Sequence, residues 1–415
     1  LEGILQLVHT RYVETPLLCN DVCNALKPLE DGHSHRIIAM STYEPVVTQQ
    51  ILDLIASKSA DQREARKMSK EVVDALKECG FFTMLLPKQW GGLERKPQEF
   101  FAEQVRIAEA DMSTAWAGGI IAVHAFQLAL MSEEAQREVY EADPNTLISS
   151  SYNPVGARAE MCEGGFMLHG RWGWSSGSDH CTWALLGGVI PGDGYRTFLV
   201  PRNQYDIEDT WDVMGLQGTG SNDVVISEPI FVPDHRTHKQ MDGFNCVNDQ
   251  DNPMYDLSWA QTFVRVVNSA AIGALKKAVK VFVESKQGNS TTDMTKFAGD
   301  VETQERLAKV LNTIGELEAV MYHNFDKMEA ASWKPTLEDR IMYRYQASIV
   351  IDKAIEAIDT LFEVAGGRSV FNGHPLQQLW HDIHIARCHV ANNPTAFARN
   401  LGSVALGMDN KDVFI

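Results

Sequence analysis

Between Thr146 and about Pro233 the chain changes texture. Short runs of β-branched and aromatic residues are broken at close intervals by Asn153-Pro154, Gly164-Gly165, Pro191-Gly192-Asp193-Gly194 and Gly218-Thr219-Gly220-Ser221-Asn222. Runs of this length with turn signals at this spacing predict a small antiparallel barrel or sandwich. On either side, apolar residues recur at three- and four-residue spacing, which predicts amphipathic helices. A helical block, a β block and a second helical block make an α+β multidomain protein.

The first helical block runs over residues 40–145. Ile51, Leu54 and Ile55 share one face, and Val72, Val73, Leu76 and Cys79 share another, with Gly80 placed as a stop. Further helices are expected over 97–110, over 113–131 and from Glu133. Residues 1–39 lack this periodicity and read as an extension without an assigned role. After the β block (146–233), residues 234–257 are polar and read as a long loop, a possible lid. The second helical block, 258–415, opens with three long stretches, 258–284, 302–332 and 336–365. Leu307, Leu311, Ile314 and Leu317 give the second stretch an apolar face, and Thr336 with Asp339 forms a capping pair for the third. That third stretch is apolar on two sides, through Ile351, Ile355, Ile358 and Phe362 and through Val350, Ala354, Ala357 and Leu361. Two-sided helices belong in a four-helix bundle or at a subunit interface. Gly366-Gly367 ends it, and a last helical pair is expected over 376–389 and 395–406.

Charge narrows the partners. Lys and Arg number 37 against 55 Asp and Glu, a formal charge of −18, which argues against nucleic acid or an anionic membrane as the main partner. The strongest apolar window, Ile120 to Met131, falls short of a membrane span. Seven cysteines without paired CxxC arrays point to reduced thiols, and with no basic, apolar leader pattern the expected location is the cytoplasm.

Chemistry concentrates in Gly170-Arg171-Trp172-Gly173-Trp174-Ser175-Ser176-Gly177-Ser178-Asp179-His180, where a β run ends and turns. Glycine permits close backbone approach, tryptophan gives a flat apolar wall and serine a small hydrogen-bonding group. Such a segment can seat a planar ring with polar edges, or it can be a sheet corner around a buried tryptophan. The segment resembles the flavin-facing stretch of the two-component flavin-dependent aromatic monooxygenases built on the acyl-CoA dehydrogenase fold. The pattern is similar to that of the oxygenases that hydroxylate 4-hydroxyphenylacetate and the secosteroid phenol. Two further motifs fit that family in order: Gly80…Pro87…Gly91-Gly92, and the turn Met214-Gly215-Leu216-Gln217-Gly218-Thr219-Gly220-Ser221. The latter lacks a Walker lysine and reads as a structural turn, not a phosphate loop.

The resemblance implies an N-terminal α domain, a middle β domain and a C-terminal four-helix bundle, assembled as a homo-oligomer, typically a tetramer. It implies a diffusible reduced FMN or FAD from a separate NAD(P)H:flavin reductase, dioxygen, and a small phenolic or indolic substrate hydroxylated through a C4a-hydroperoxyflavin. No NAD(P)H-binding βαβ fingerprint occurs in the chain itself. By the same resemblance Trp116, Ser149, Ser150, Ser151, Trp174, Ser175, Ser176, Gly366, Gly367, Arg368 and Ser369 contact the flavin, Ser176 near its N5 atom. His124 and Ser150 take the substrate hydroxyl, His124 as an imidazole titrating near neutrality, and His389 sits over the flavin.

His381, Asp382 and His384 have spacing worth testing against a metal site, but no second ligand cluster accompanies them and no metal is expected. The rival is an acyl-CoA dehydrogenase, whose common catalytic glutamate would fall at Val390, a residue that cannot act as a base. A departure from the hydroxyphenylacetate pattern is the absence of arginines over Lys286–Thr292, and an arginine early in the first bundle helix is replaced by Ala260, with Arg265 a turn later.

Overall fold

Thr48 turns its hydroxyl onto the Ile51 amide and starts helix α1 (Gln49–Ala65). Arg66 then enters the left-handed region (φ +56°) and ends it, so the two apolar faces expected before Gly80 belong to two helices. Ser69 caps the second, α2 (Lys70–Glu78). The computed structural model describes residues 43–240, 244–286 and 299–415; the extension expected over 1–39, and most of the arginine-poor stretch 286–292, lie outside them.

After α2 the chain folds tightly through Phe81–Leu93. A Cβ at Gly92 would stand 2.0 Å from the Leu86 carbonyl oxygen, so only glycine fits there. Helices α3 (Pro97–Ala110), α4 (Met112–Leu130) and α5 (Glu133–Tyr140) follow. Helix α4 is buried along its whole length, and among the described residues it alone is long and apolar enough to cross a membrane. Here it is the core helix of the first domain. Gln104 on α3 donates to the carbonyls of Ala115 on α4 (3.0 Å) and of Val266 in the bundle (2.8 Å), and the second of these buried hydrogen bonds ties the first domain to the bundle.

Eight strands form two four-stranded sheets, β1 (Ile148–Ser151), β4 (Trp183–Ile190), β5 (Gly194–Pro201) and β8 (Thr237–Lys239) in one, and β2 (Ala157–Cys162), β3 (Gly165–Ser175), β7 (Asn222–Pro233) and β6 (Asp206–Glu208) in the other. Trp172, Phe198, Phe166, Leu186 and Val224 fill the space between them. Two features depart from the expected antiparallel block. Strand β1 pairs with β4 in parallel, because β2 and β3 make an excursion through the second sheet before the chain returns in its original direction. And β8 lies within the stretch read as a loop, held on β5 over Arg196–Phe198.

The bundle contains α6 (Trp259–Lys286), α7 (Val301–Ala330), α8 (Leu337–Ser348), α9 (Val350–Ala365), α10 (Pro375–Ala386) and α11 (Pro394–Ala405). The single stretch expected over 336–365 is interrupted at Ile349. Just before it, the Ser348 hydroxyl donates back to the Tyr345 carbonyl (2.7 Å), a bond that competes with the helical ladder. Thr336 caps α8 as expected, accepting from the Asp339 amide at 3.1 Å. On α7, Ile314 and Leu317 are buried but Leu311 is 43% exposed, so the apolar face is narrower than its sequence pattern.

Candidate active site

At the end of β3 the pairing with β7 shifts register between Trp172 and Ser175. Such a bulge re-aims side chains. Trp172 points into the β core and donates to the Gly187 carbonyl (2.7 Å), whereas Trp174, at φ +64°, is thrown outward and 65% exposed. The two tryptophans that look equivalent in sequence therefore do different work. Ser175, Ser176 and Ser178 are all buried. Gly177 (φ +70°) lies so close to α4 that a Cβ would meet Ile121 Cδ1 at 2.6 Å. Its amide donates to the Thr219 carbonyl (2.8 Å), fixing this corner to the Leu216–Ser221 turn.

That turn is structural, as its sequence suggests, but it also completes the corner. Ser176 Oγ is 2.8 Å from Ser221 Oγ, Ser221 Oγ is 2.7 Å from Thr219 Oγ1, and Thr219 Oγ1 donates to the Leu216 carbonyl at 2.8 Å. The Leu216 amide in turn donates to Asp382 Oδ1 on α10 (2.6 Å). Burial raises the Asp382 carboxyl to a pKa of about 7, against the opposing pull of the Leu216 N–H and Gln378.

Helix α4, against which Gly177 packs, also contributes to a nest of rings. Trp116 on α4 and His389 are 5.9 Å apart between centroids, and Phe263 on α6 lies 6.3 Å from His389, 5.1 Å from Tyr152 and 5.2 Å from Trp259. His124, two turns beyond Trp116 on α4, is 5.7 Å from Trp259. Helix periodicity thus delivers Trp116 and His124 to the nest, and the segment after α10 delivers His389. Phe414, near the C-terminal end, closes another side, 6.0 Å from Phe263.

His124 is fully buried, and its Nε2 lies 2.9 Å from Tyr152 Oη, which also donates to Gln127 Oε1. The Tyr152 hydroxyl has one proton, so the His124 tautomer sets whether Nε2 donates to it or competes with Gln127 for that proton. Burial pushes His124 down to a pKa of about 3, only partly opposed by the Ile120 and Ile121 carbonyls, so the imidazole is neutral at pH 7. The expectation of an imidazole titrating near neutrality is therefore corrected: no charge or carboxylate beside it offsets the cost of desolvation. His389 is pushed down to about 4 by burial and then by the Arg344 guanidinium, while its Nδ1 accepts from the Ala391 amide at 3.2 Å. Burial holds the Tyr152 phenol well above its ordinary range, with the Ser150 hydroxyl acting the other way.

The three serines of β1 are separated by the two-residue period of the strand. Ser150 shares a face with Tyr152 and the nest. Ser149 turns the opposite way, its hydroxyl acting on Cys181 and Tyr205, and Ser151 donates to the Gly173 carbonyl (2.6 Å). Gly366, Gly367 and Arg368 are exposed at the end of α9, and the buried Ser369 hydroxyl donates to the Gly366 carbonyl (2.7 Å). Within one chain these four share no hydrogen bond or ring contact with the nest. His381, Asp382 and His384 diverge: His381 meets the Met214 carbonyl (2.9 Å), His384 lies tilted against Trp380 (3.9 Å between ring centroids), and Asp382 points to the turn.

Sequence reasoning missed Tyr152, Trp259, Phe263, Ser221 and Thr219. A signal existed for the first, since Tyr152 lies two residues beyond Ser150 and so on the same strand face. Trp259 and Phe263 are one helical turn apart, a spacing that also describes ordinary core. Beside the corner, a cleft of about 400 Å³ is lined by Asn153, Gly156, Arg171, Trp174, Trp211 and Ser221. Ser221 belongs to both the cleft and the hydroxyl chain, so the cleft opens onto the polar edge that ends at Ser176.

Comparison with known proteins places this geometry. Residues 46–142 match the acyl-CoA dehydrogenase N-terminal domain family, and residues 266–394 match the acyl-CoA dehydrogenase C-terminal domain family. The chain is 34% identical over 382 residues to the flavin-dependent monooxygenase oxygenase subunit HsaA of Rhodococcus jostii (strain RHA1), covering 88% of this chain and 98% of that one. It is 28% identical over 377 residues to the p-hydroxyphenylacetate 3-hydroxylase oxygenase component of Acinetobacter baumannii, covering 87% and 88%. Its fold superimposes on the crystal structure of 3-HSA hydroxylase from Rhodococcus sp. RHA1 with a TM-score of 0.83 at 32% identity, over 88% of this chain and 97% of that one. With its α–β–α order, ring-lined nest and serine corner, the chain belongs to the oxygenase components of the flavin-dependent aromatic monooxygenases built on the acyl-CoA dehydrogenase fold.

Proposed function

We propose that the chain hydroxylates a small phenol or indole, using dioxygen and a reduced FMN or FAD delivered by a separate NAD(P)H:flavin reductase. The observation that carries this is that two features meet the same helix: α4 carries Trp116 and His124 of the aromatic nest, which has no ionised side chain among its rings, and its Ile121 packs against Gly177 of the buried serine corner. Ser176 would hold the flavin's polar edge and Trp174 would wall its ring. Arg171, already paired with Glu208 and Asp223 at 2.6 Å each, leaves little free positive charge in the cleft for a phosphate. Bound there, reduced flavin would supply the two electrons that activate dioxygen, one oxygen atom of which goes to the substrate and the other to water. Trp116, Phe263 and Trp259 would hold the substrate ring and exclude water. Tyr152, backed by His124 and Gln127, and Ser150 would receive its hydroxyl or N–H. Val390, in the place of the dehydrogenase base, is aliphatic and 79% exposed, so nothing there removes a carbon-bound proton.

We further assign the protein to the cytoplasm as a homotetramer. The exposed Val370 and Phe371, beside Gly366–Ser369, supply an apolar surface for a second copy. Assembly would bring those glycines toward a neighbour's flavin.

Equilibrium dialysis with reduced flavin under anaerobic conditions and oxidised flavin under air tests the cofactor reading. Reduced flavin should bind more tightly, and a panel of phenols and indoles with added reductase should yield hydroxylated product. Equal affinities, with no product from any member, would reject it.

A further inference from the structure

We propose that Thr219 and Ser221 are positioning residues that fix the proton order of Ser176, making it a hydrogen-bond acceptor and thereby selecting reduced flavin. This rests on the reading that the flavin's N5 edge meets Ser176. The four groups Leu216 C=O, Thr219, Ser221 and Ser176 are buried and form one line of hydrogen bonds. A carbonyl can only accept, so the end of the line is fixed. Thr219 spends its single hydroxyl proton on that carbonyl. Ser221 must then donate to Thr219, and Ser176 must donate to Ser221. One proton arrangement alone makes all three bonds. It leaves Ser176 with free lone pairs and no proton to offer a ligand.

The two redox forms of a flavin differ at this edge. Reduced flavin carries N5–H, a donor, and oxidised flavin a bare nitrogen, an acceptor. Ser176 in its fixed order accepts from the first and presents oxygen to the second. To serve the oxidised form the line must reverse, and Thr219 must give up its bond to Leu216. That carbonyl also accepts from the Trp211 indole (3.0 Å) and the Thr219 amide (3.2 Å), so reversal leaves it bonded and the preference finite. One net hydrogen bond corresponds to roughly a 2- to 13-fold difference in affinity.

The test measures affinities of oxidised and anaerobically reduced flavin, and the midpoint potential of bound flavin, in wild type, Thr219→Val, Thr219→Ser and Ser221→Ala. Thr219→Val and Ser221→Ala free the line to reverse, so the preference for reduced flavin should narrow about 2- to 13-fold. A tenfold narrowing lowers the potential of the bound flavin by about 30 mV for two electrons. Thr219→Ser keeps the hydroxyl and should restore the wild-type ratio. If Thr219→Val and Ser221→Ala retain the wild-type ratio, including a case where both affinities fall equally, the proposal is overturned. A wild type that binds neither form would instead remove the functional reading on which it stands.

Discussion

His124 shows how burial alone sets what a side chain can do. Its ordinary pKa is near 6.5, and in the folded chain it falls to about 3. The unfolded chain therefore binds a proton between these values that the folded chain refuses. The stability tied to His124 is fully present above pH 6.5 and is lost as pH falls toward 3, at up to about 1.4 kcal/mol per pH unit. A His124→Asn variant should thus be less stable than wild type at pH 7, with the gap closing as pH is lowered to 4. Denaturant titrations at several pH values check this, and a gap that is constant with pH would show that His124 is not held neutral. For activity, His124→Asn and Tyr152→Phe should both bind reduced flavin normally while losing product. General acid–base assistance typically contributes about 10²–10⁴-fold, and the loss should approach that range if the pair handles the substrate proton. Ser176→Ala should leave the fold intact and raise hydrogen peroxide release relative to hydroxylated product, measured by peroxide trapping. Unchanged coupling would take Ser176 out of the site.

At the scale of elements, the contact to examine is between α10 and the Leu216 turn. Removing the Asp382 carboxylate leaves the buried Leu216 N–H without its acceptor, a cost of about 1–3 kcal/mol. Asp382→Ala should therefore melt early, while Asp382→Asn, which keeps an acceptor oxygen, should not. Because the folded carboxyl has a raised pKa, its contribution is fully present below about pH 3.8 and is lost as pH rises through about 7. Asp382→Asn should accordingly gain on wild type over that interval, a trend calorimetry can follow. These elements differ in how far the sequence reveals them. Helix ends such as Thr336 and Gly80 are local, governed by residues within a turn of each other, and they read directly. The parallel β1–β4 pair depends on where β2 and β3 travel, and no residue of β1 encodes that. Trp116, His124 and His389 were legible through their family motif, and the structure brings them to one nest. Ser149 was not separable from Ser150 without strand phase, and the Asp382–Leu216 link joins residues 166 positions apart.

Across the whole molecule, the nest has few groups able to titrate at ordinary pH. His124 and His389 have given up their protons once the pH rises past about 4, and Tyr152 holds its own well above 10. The nest is thus a blank against which a bound molecule's own ionisation can be read. Between about pH 5 and 9 the hydroxylation rate should follow the acidity of the phenol supplied, moving with it across a series of ring-substituted substrates. Asp382, raised to about 7 by burial, lies within that window, and a step that stays at one pH for every phenol but vanishes in Asp382→Asn would be its signature. A step that moves with the substrate means that the enzyme leaves the timing of proton loss to the molecule it oxidises. Its range of good substrates would then be set by acidity as much as by shape.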